Sequence, residues 1–223
     1  IVERQKSLKS IKLTINGNTT STISTPTSIE GITLEGVIKP SGNGVVKYSI
    51  VPNKQQLVGK NFNMTGFDGA IRNRGGKVTL SSVNFLKNET EGNGSSIKNM
   101  IYVLGNILYK GTVSSSGSSK NYAKFYSNIA TNNGGAIYNE GNLTLKYVEF
   151  GDNETTGNRA LNGGAIANIQ TNYYPTTTNI ISSRFGYNIA DEKGGAIYTT
   201  GLIKSSKNIF DSNKAKNGGA VYI

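Results

Sequence analysis

The chain has 223 residues, including 28 Gly, 28 Asn and 43 Ser plus Thr, with 4 Pro and no Cys, His or Trp. Without Cys there is no disulfide framework, thiolate metal site or cysteine nucleophile; without His the commonest general base and transition-metal ligand are missing, so a hydrolase triad or zinc hydrolase lacks its usual parts. Lys and Arg outnumber Asp and Glu by 24 to 13, giving +11 and a pI near 9.7, yet they are spread singly along the chain, which reads as a solvated face and not as a nucleic-acid patch; an anionic polymer or cell surface fits the same charge equally well.

The chain starts at Ile1 without a Met or a signal-like segment, and its densest charge lies in residues 3–12. Residues 1–61 alternate like strands at Lys12-Leu13-Thr14-Ile15, Ser21-Thr22-Ile23-Ser24, Gly31-Ile32-Thr33-Leu34 and residues 45–51, separated by Asn-Gly, Thr-Pro and Ser-Gly-Asn-Gly turns. They are expected to form irregular early coils or an amino-terminal cap. The longest apolar stretch, residues 100–109, is interrupted by Gly105 and Asn106 and is about strand length. No run of about 18 apolar residues occurs, so no membrane span is expected in this segment.

Two short motifs alternate through residues 62–223. Gly-Gly-Ala-Ile/Val stands at 134–137, 163–166, 194–197 and 218–221, and Phe-x-x-Asn at 85–88, 125–128, 150–153, 185–188 and 210–213. Weaker glycine copies at 68–71 and 94–97 fall where the alternation requires them. From Ala70, Ala136, Ala165 and Ala196 to the following Phe is 15, 14, 20 and 14 residues. The shortest full period is 24 residues, and longer units carry extra length in a polar insert at 169–178 and a Ser/Gly-rich insert at 109–122. A fixed minimum unit with variable loops is the signature of a solenoid, and the chain ends inside a repeat, as a piece of something longer would.

Within a unit the period is 2. In Ala136-Ile137-Tyr138-Asn139, Leu143-Thr144-Leu145 and Val148-Glu149-Phe150, apolar and polar residues alternate in three bursts separated by turns such as Glu140-Gly141-Asn142. Each unit therefore reads as about three short strands, each pairing with its counterpart in the next unit about 4.8 Å along the axis. The result is an all-β parallel β-helix, a solenoid of about six recognisable coils. Ile137, Leu143, Leu145, Val148 and Phe150 are expected inside, Gly-Gly at a sharp corner, and the Asn of Phe-x-x-Asn, including Asn88 and Asn153, in a buried ladder at a turn. A second polar ladder is expected through Asn73, Asn139, Asn168 and Thr199.

Alternating Gly-Gly-Ala-Ile and Phe-x-x-Asn resembles the repeat of the chlamydial polymorphic outer-membrane proteins, and equally that of the adhesin-like surface proteins of methanogenic archaea. The abundance of Asn, Lys, Ile and Tyr and the absence of Cys lean toward the methanogen proteins. The resemblance covers residues 62–223. It implies a right-handed parallel β-helix displayed extracellularly on a cell surface for adhesion.

No catalytic, cofactor-binding or metal-binding residues are expected. Of four Asp in the chain, Asp152 and Asp211 would share an edge two coils apart, a loose pair for a polysaccharide lyase or glycosidase, and charged turn residues are the plainer explanation. Six Asn-x-Ser/Thr sequons, at Asn18, Asn63, Asn88, Asn93, Asn142 and Asn153, are about the number this composition gives by chance. The Gly-Gly pairs lack the Lys-Ser/Thr and helix of a phosphate loop. The inserts are the better place for binding: Tyr173 and Tyr174 offer flat faces and hydroxyls to a sugar or protein, or else cover the coil beneath. The expected role is noncatalytic attachment to a cell-surface polymer, glycan or surface protein, with end-to-end self-association into a fibre or sheath as the alternative.

Overall fold

The computed structural model describes residues 11–14, 32–38 and 56–223, positions 68, 105 and 106 excepted. Each unit turns a full circuit through four rows of strands. Row 1 follows the glycine motif and stacks Ile71–Arg74, Ile97–Leu104, Ile137–Asn139, Ile166–Asn168, Ile197–Thr199 and Val221–Tyr222. Row 2 stacks Lys77–Ser81, Thr112–Ser116, Asn142–Lys146, Thr177–Ile181 and Leu202–Ser206. Row 3 carries the phenylalanines, in Asn84–Leu86, Ala123–Tyr126, Val148–Phe150, Arg184–Gly186 and Ile209–Asp211. Row 4 is Glu89–Thr90, Ile129–Ala130, Arg159–Asn162 and Ile189–Lys193.

Every pairing within a row is parallel and joins equivalent residues of successive coils, with one register shift in row 4 between Ala160 and Asn162: Ile71, Ile97, Ile137, Ile166, Ile197 and Val221 form one column. The chain is thus the parallel β-helix that the repeat implies, with five circuits opening at Ile71, Ile97, Ile137, Ile166 and Ile197 and a sixth at Val221. Row 4 was not visible in the alternation because two of its strands have only two residues, too few to show a period.

The amino-terminal segments Ile11–Thr14 and Ile32–Ile38 pair in parallel, and Ile32–Ile38 pairs with Gln56–Thr65, a long strand that lies against both Lys77–Ser81 and Asn84–Leu86. The strands expected at residues 21–24 and 45–51 lie outside the described residues.

The core is narrow and repetitive. Ile137, Leu143, Leu145, Val148 and Phe150 are all fully buried, as their alternation predicts. Phe85, Phe125, Phe150, Phe185 and Phe210 stack in one column with ring centroids 4.7–4.8 Å apart. Offset stacking at the coil spacing adds aromatic attraction to burial.

The Gly-Gly corner has two separate causes. The first glycine of each full copy has φ between +62° and +66° at Gly134, Gly163, Gly194 and Gly218, a left-handed conformation costly for a side chain bearing Cβ. At the second, a Cβ on Gly135 would collide with the carbonyl oxygen of Gly164 in the next coil. The Ala that follows is fully buried at positions 136, 165 and 196.

Two asparagine ladders run the length of the described coils. In the first, Asn88, Asn128, Asn158, Asn188 and Asn213 are linked by Nδ2–H···Oδ1 bonds of 2.8–3.0 Å. Each Asn from 128 onward also donates to the carbonyl of the phenylalanine one coil below, as Asn188 does to Phe150 at 2.8 Å. Asn153 is not in this ladder, contrary to its motif position. Coil 3 inserts a loop at residues 151–157, so Asn158 takes the buried site and Asn153 is exposed at the loop. The second ladder runs Asn73, Asn99, Asn139, Asn168, Thr199 at 2.7–2.9 Å; Asn99 is the rung supplied by the weak glycine copy.

The second coil is long for two reasons, of which its Ser/Gly composition indicates one, the loop at 117–122 between rows 2 and 3. Residues 112–116 are a regular row 2 strand with Val113 and Ser115 buried. Much of the extra length is the antiparallel pair Ile97–Leu104 and Ile107–Lys110, into which the apolar stretch at 100–109 folds.

Truncating Asn158, a rung of the first ladder, removes four hydrogen bonds from the wall and leaves the buried Asn128 amide without its partner. Asn158→Ala should lower stability by about 3 kcal/mol and Asn153→Ala by less than about 1 kcal/mol in chemical denaturation. Equal losses would contradict the assignment of Asn158 to the ladder.

Candidate binding surfaces

Both major excursions from the wall leave at the corner between rows 1 and 2. After Asn99 of coil 2 the chain continues outward and returns as the antiparallel hairpin, and after Asn168 of coil 4 it makes the loop at 169–176. The intervening coil 3 takes the same corner with only Glu140 and Gly141. The two excursions meet over it, where the Lys110 ammonium donates to the Pro175 carbonyl. Burial lowers the pKa of Lys110 below its usual value.

The loop is held by Gln170, whose Nε2 donates to the carbonyls of Thr171 and Tyr174 at 3.2 and 3.1 Å and whose Oε1 accepts from the Thr176 amide at 3.1 Å. On this bracket Tyr173 is 69% and Tyr174 52% exposed. On the hairpin Val103 is 48% and Ile107 57% exposed. Four large side chains thus stand out at one corner of the solenoid. Sequence reasoning found the tyrosines but not Val103, Ile107 or Lys110, because the apolar stretch read as a single strand.

A second feature lies on row 3. Its outward column reads Tyr126, Gly151, Gly186, Asp211 from coil to coil. The two glycines leave a step without side chains, and a Cβ on either would crowd the backbone of the other. The result is a lateral notch of about 310 Å³ bounded by Glu149, Asp152, Arg184, Tyr187 and Asp211. The loose carboxylate pair of the sequence therefore does face one cavity. The repeated Phe-Gly at positions 150–151 and 185–186 was the signal for it.

The carboxylates of the notch differ in their surroundings. Glu149 accepts from the Tyr126 hydroxyl and lies 3.8 Å from Arg184, whose guanidinium sits 4.9 Å from the Tyr122 ring centroid. Asp152 accepts from Asn153 and Thr156 at 2.7 and 2.6 Å, and Asp211 from Ser212 at 3.0 Å. Among the described residues neither Asp forms an ion pair, and no group of three or more His, Cys, Asp or Glu is arranged to hold a metal ion.

Elsewhere the positive charge is laid over aromatic rings. Lys98 lies over Tyr138, Lys124 over Tyr126, Lys146 over Tyr147, and Lys193 over both Tyr198 and Tyr222, at 4.9–6.0 Å from the ring centroids. Such contacts hold the lysine stems down while leaving charge at the surface. Among the described residues no helix is long and apolar enough to cross a membrane.

Residues 123–140 and 182–200 match the family model of the Chlamydia polymorphic membrane protein (Chlamydia_PMP) repeat. Each matched segment runs from row 3 through the ladder Asn and the Gly-Gly corner into row 1, so the match falls on the parts that build the wall. The hairpin and the tyrosine loop lie outside both segments. No curated protein and no solved structure matches the chain. The methanogen side of the resemblance has no counterpart in these matches.

Two phenols report on this surface. Burial first, then the hydrogen bond and charge of Glu149, push Tyr126 well above its ordinary value of 10.0; burial and a 2.8 Å bond to Glu140 do the same to Tyr138. A folded-state pKa above the unfolded one gives stability that is intact below about pH 10 and lost as pH rises beyond it. Tyr126→Phe and Tyr138→Phe should each flatten the fall of the thermal midpoint above about pH 10, and an unchanged slope would mean that both phenols ionise freely in the folded chain.

Proposed function

We propose that the chain is a noncatalytic attachment segment of a cell-surface adhesin, with the corner that carries Tyr173, Tyr174, Val103 and Ile107 as its contact surface. The polymorphic membrane protein repeat supports a surface-associated, adhesin-like role in general terms. The observation that carries the specific reading is the junction of two excursions from coils 2 and 4, tied by Lys110 to Pro175. A rigid wall presenting a braced patch of aromatic and aliphatic side chains loses little conformational entropy on binding. Tyrosine supplies large contact area with few rotatable bonds. The lysines along the wall favour an anionic partner, such as an acidic glycan or wall polymer, over a neutral one.

The notch favours a second reading, a polysaccharide-cleaving site, because Asp152 and Asp211 line one cavity beside Glu149 and Arg184. A glycosidase needs two carboxylates flanking the scissile bond.

Binding to arrayed glycans or to cells separates the two. For attachment through the corner, Tyr173→Ala and Tyr174→Ala should each weaken binding by roughly thirtyfold, the effect of losing about 2 kcal/mol at an aromatic anchor. Unchanged affinity in both variants would overturn the assignment of this surface. For the second reading, acidic polysaccharides would release reducing or unsaturated ends, and Asp152→Ala or Asp211→Ala would abolish that release; no release from the parent chain would dismiss it.

A further inference from the structure

The six sequons are equal as sequence and unequal as structure. Asn18 lies outside the described residues. Asn88 is a fully buried rung of the first ladder, and the hydroxyl residue of its sequon, Thr90, is also buried. Asn93 accepts from both the amide and the side chain of Asn133, at 3.0 and 3.1 Å, and its Ser95 is fully buried. Asn63 accepts from Asn84 at 2.8 Å, with Met64 fully buried between it and Thr65. Asn142 begins a row 2 strand paired on both sides, to Thr112 and to Thr177. In these four the backbone is committed to the wall.

Asn153 differs on each count. It is exposed together with Asp152, Glu154 and Thr155, in the loop whose insertion displaced it from the ladder. Its Oδ1 accepts from the Thr155 amide at 2.9 Å and from the Thr155 hydroxyl at 2.7 Å, which draws the two side chains of the sequon to one side of a tight turn. Its Nδ2 donates to Asp152 at 2.7 Å. Hydrogen bonds to a carboxamide oxygen pull electron density from the nitrogen and make its remaining protons more acidic.

We propose that Asn153 is an N-glycan acceptor of the folded protein, the site that folding selects from the described sequons. The co-reactant is an oligosaccharide carried on a polyisoprenoid pyrophosphate, with an oligosaccharyltransferase as catalyst. The C1–O bond to the pyrophosphate breaks, its electron pair leaving on phosphate; a C1–N bond forms to Asn153 Nδ2, and one Nδ2 proton passes to a base of the transferase. In a cell the reaction rests on the surface-exposed reading above, because the chain must reach the compartment that holds the transferase. The chemistry of the loop does not depend on which surface binds a partner.

Purified oligosaccharyltransferase and lipid-linked oligosaccharide, incubated with the full folded chain, test this without a cell. Peptide mass mapping should place the added glycan mass on Asn153, and Asn153→Gln and Thr155→Ala should each remove it. The urea-unfolded chain should in addition be modified at Asn63, Asn88, Asn93 or Asn142. Modification of any of those four in the folded chain, or an unmodified Asn153 while a sequon peptide in the same reaction is glycosylated, would overturn the proposal. Because the assay involves no adhesion, its failure would leave the tyrosine-corner reading untouched.

Discussion

The stack depends on how a carboxamide is satisfied when it is sealed inside a protein wall. An asparagine side chain brings two N–H donors and an oxygen that accepts two bonds, and leaving any of these unmade in a dry interior costs on the order of 1–3 kcal/mol. At Asn188 all are used: the oxygen accepts from the amide and side chain of Asn158, and the nitrogen donates to Asn213 and to the carbonyl of Phe150. One side chain thereby ties three successive coils. A coil with a different residue at that place would strand groups above and below it, so each coil must present an asparagine at the same turn. The phenylalanine column and the parallel registers then follow, because the ladder fixes where every circuit begins and ends.

A wall specified this way is rigid where the ladders and corners lie and permissive between them. The hairpin of coil 2, the tyrosine loop of coil 4 and the loop at 151–157 add residues where the chain faces solvent, and the ladder closes again at Asn139, Thr199 and Asn188 as if nothing had intervened. Variation at corners leaves the core pairing intact, which is why the excursions are the natural carriers of recognition. The notch arises by subtraction, where two glycines in one outward column remove the side chains that neighbouring coils supply.

Much of this architecture was legible because it is local and repeated. Gly-Gly-Ala-Ile encodes a corner whose backbone needs glycine twice for different reasons, and the period-2 bursts at 143–150 name the buried side chains directly, whereas Ile137–Asn139 is buried at every position. What stayed hidden depended on which of two candidates the stack would select. Asn153 fits the motif and Asn158 does not, yet the loop between them passes the buried position to the later residue. The turns after row 3 place Lys87, Ser127, Tyr187 and Ser212 in the left-handed region with φ of 53–57°; Lys87 and Tyr187 carry no turn signature, and the amides of Lys87, Ser127 and Tyr187 are held by carbonyls of the coil above. The meeting of Lys110 with Pro175 joins residues 65 positions apart, a distance that no spacing rule spans.

The direction of the two long ladders has a consequence for the molecule as a whole. In the rung-to-rung links of both, the amide nitrogen donates toward the carboxy-terminal coil and the oxygen receives from the amino-terminal one. The short ladder of Asn93, Asn133 and Asn162 runs the other way but has only two links. Strand hydrogen bonds alternate in sense and nearly cancel; aligned carboxamides do not. They add head to tail as peptide units do in an α-helix, giving the solenoid an electrical axis with its positive pole toward the carboxy-terminal coils.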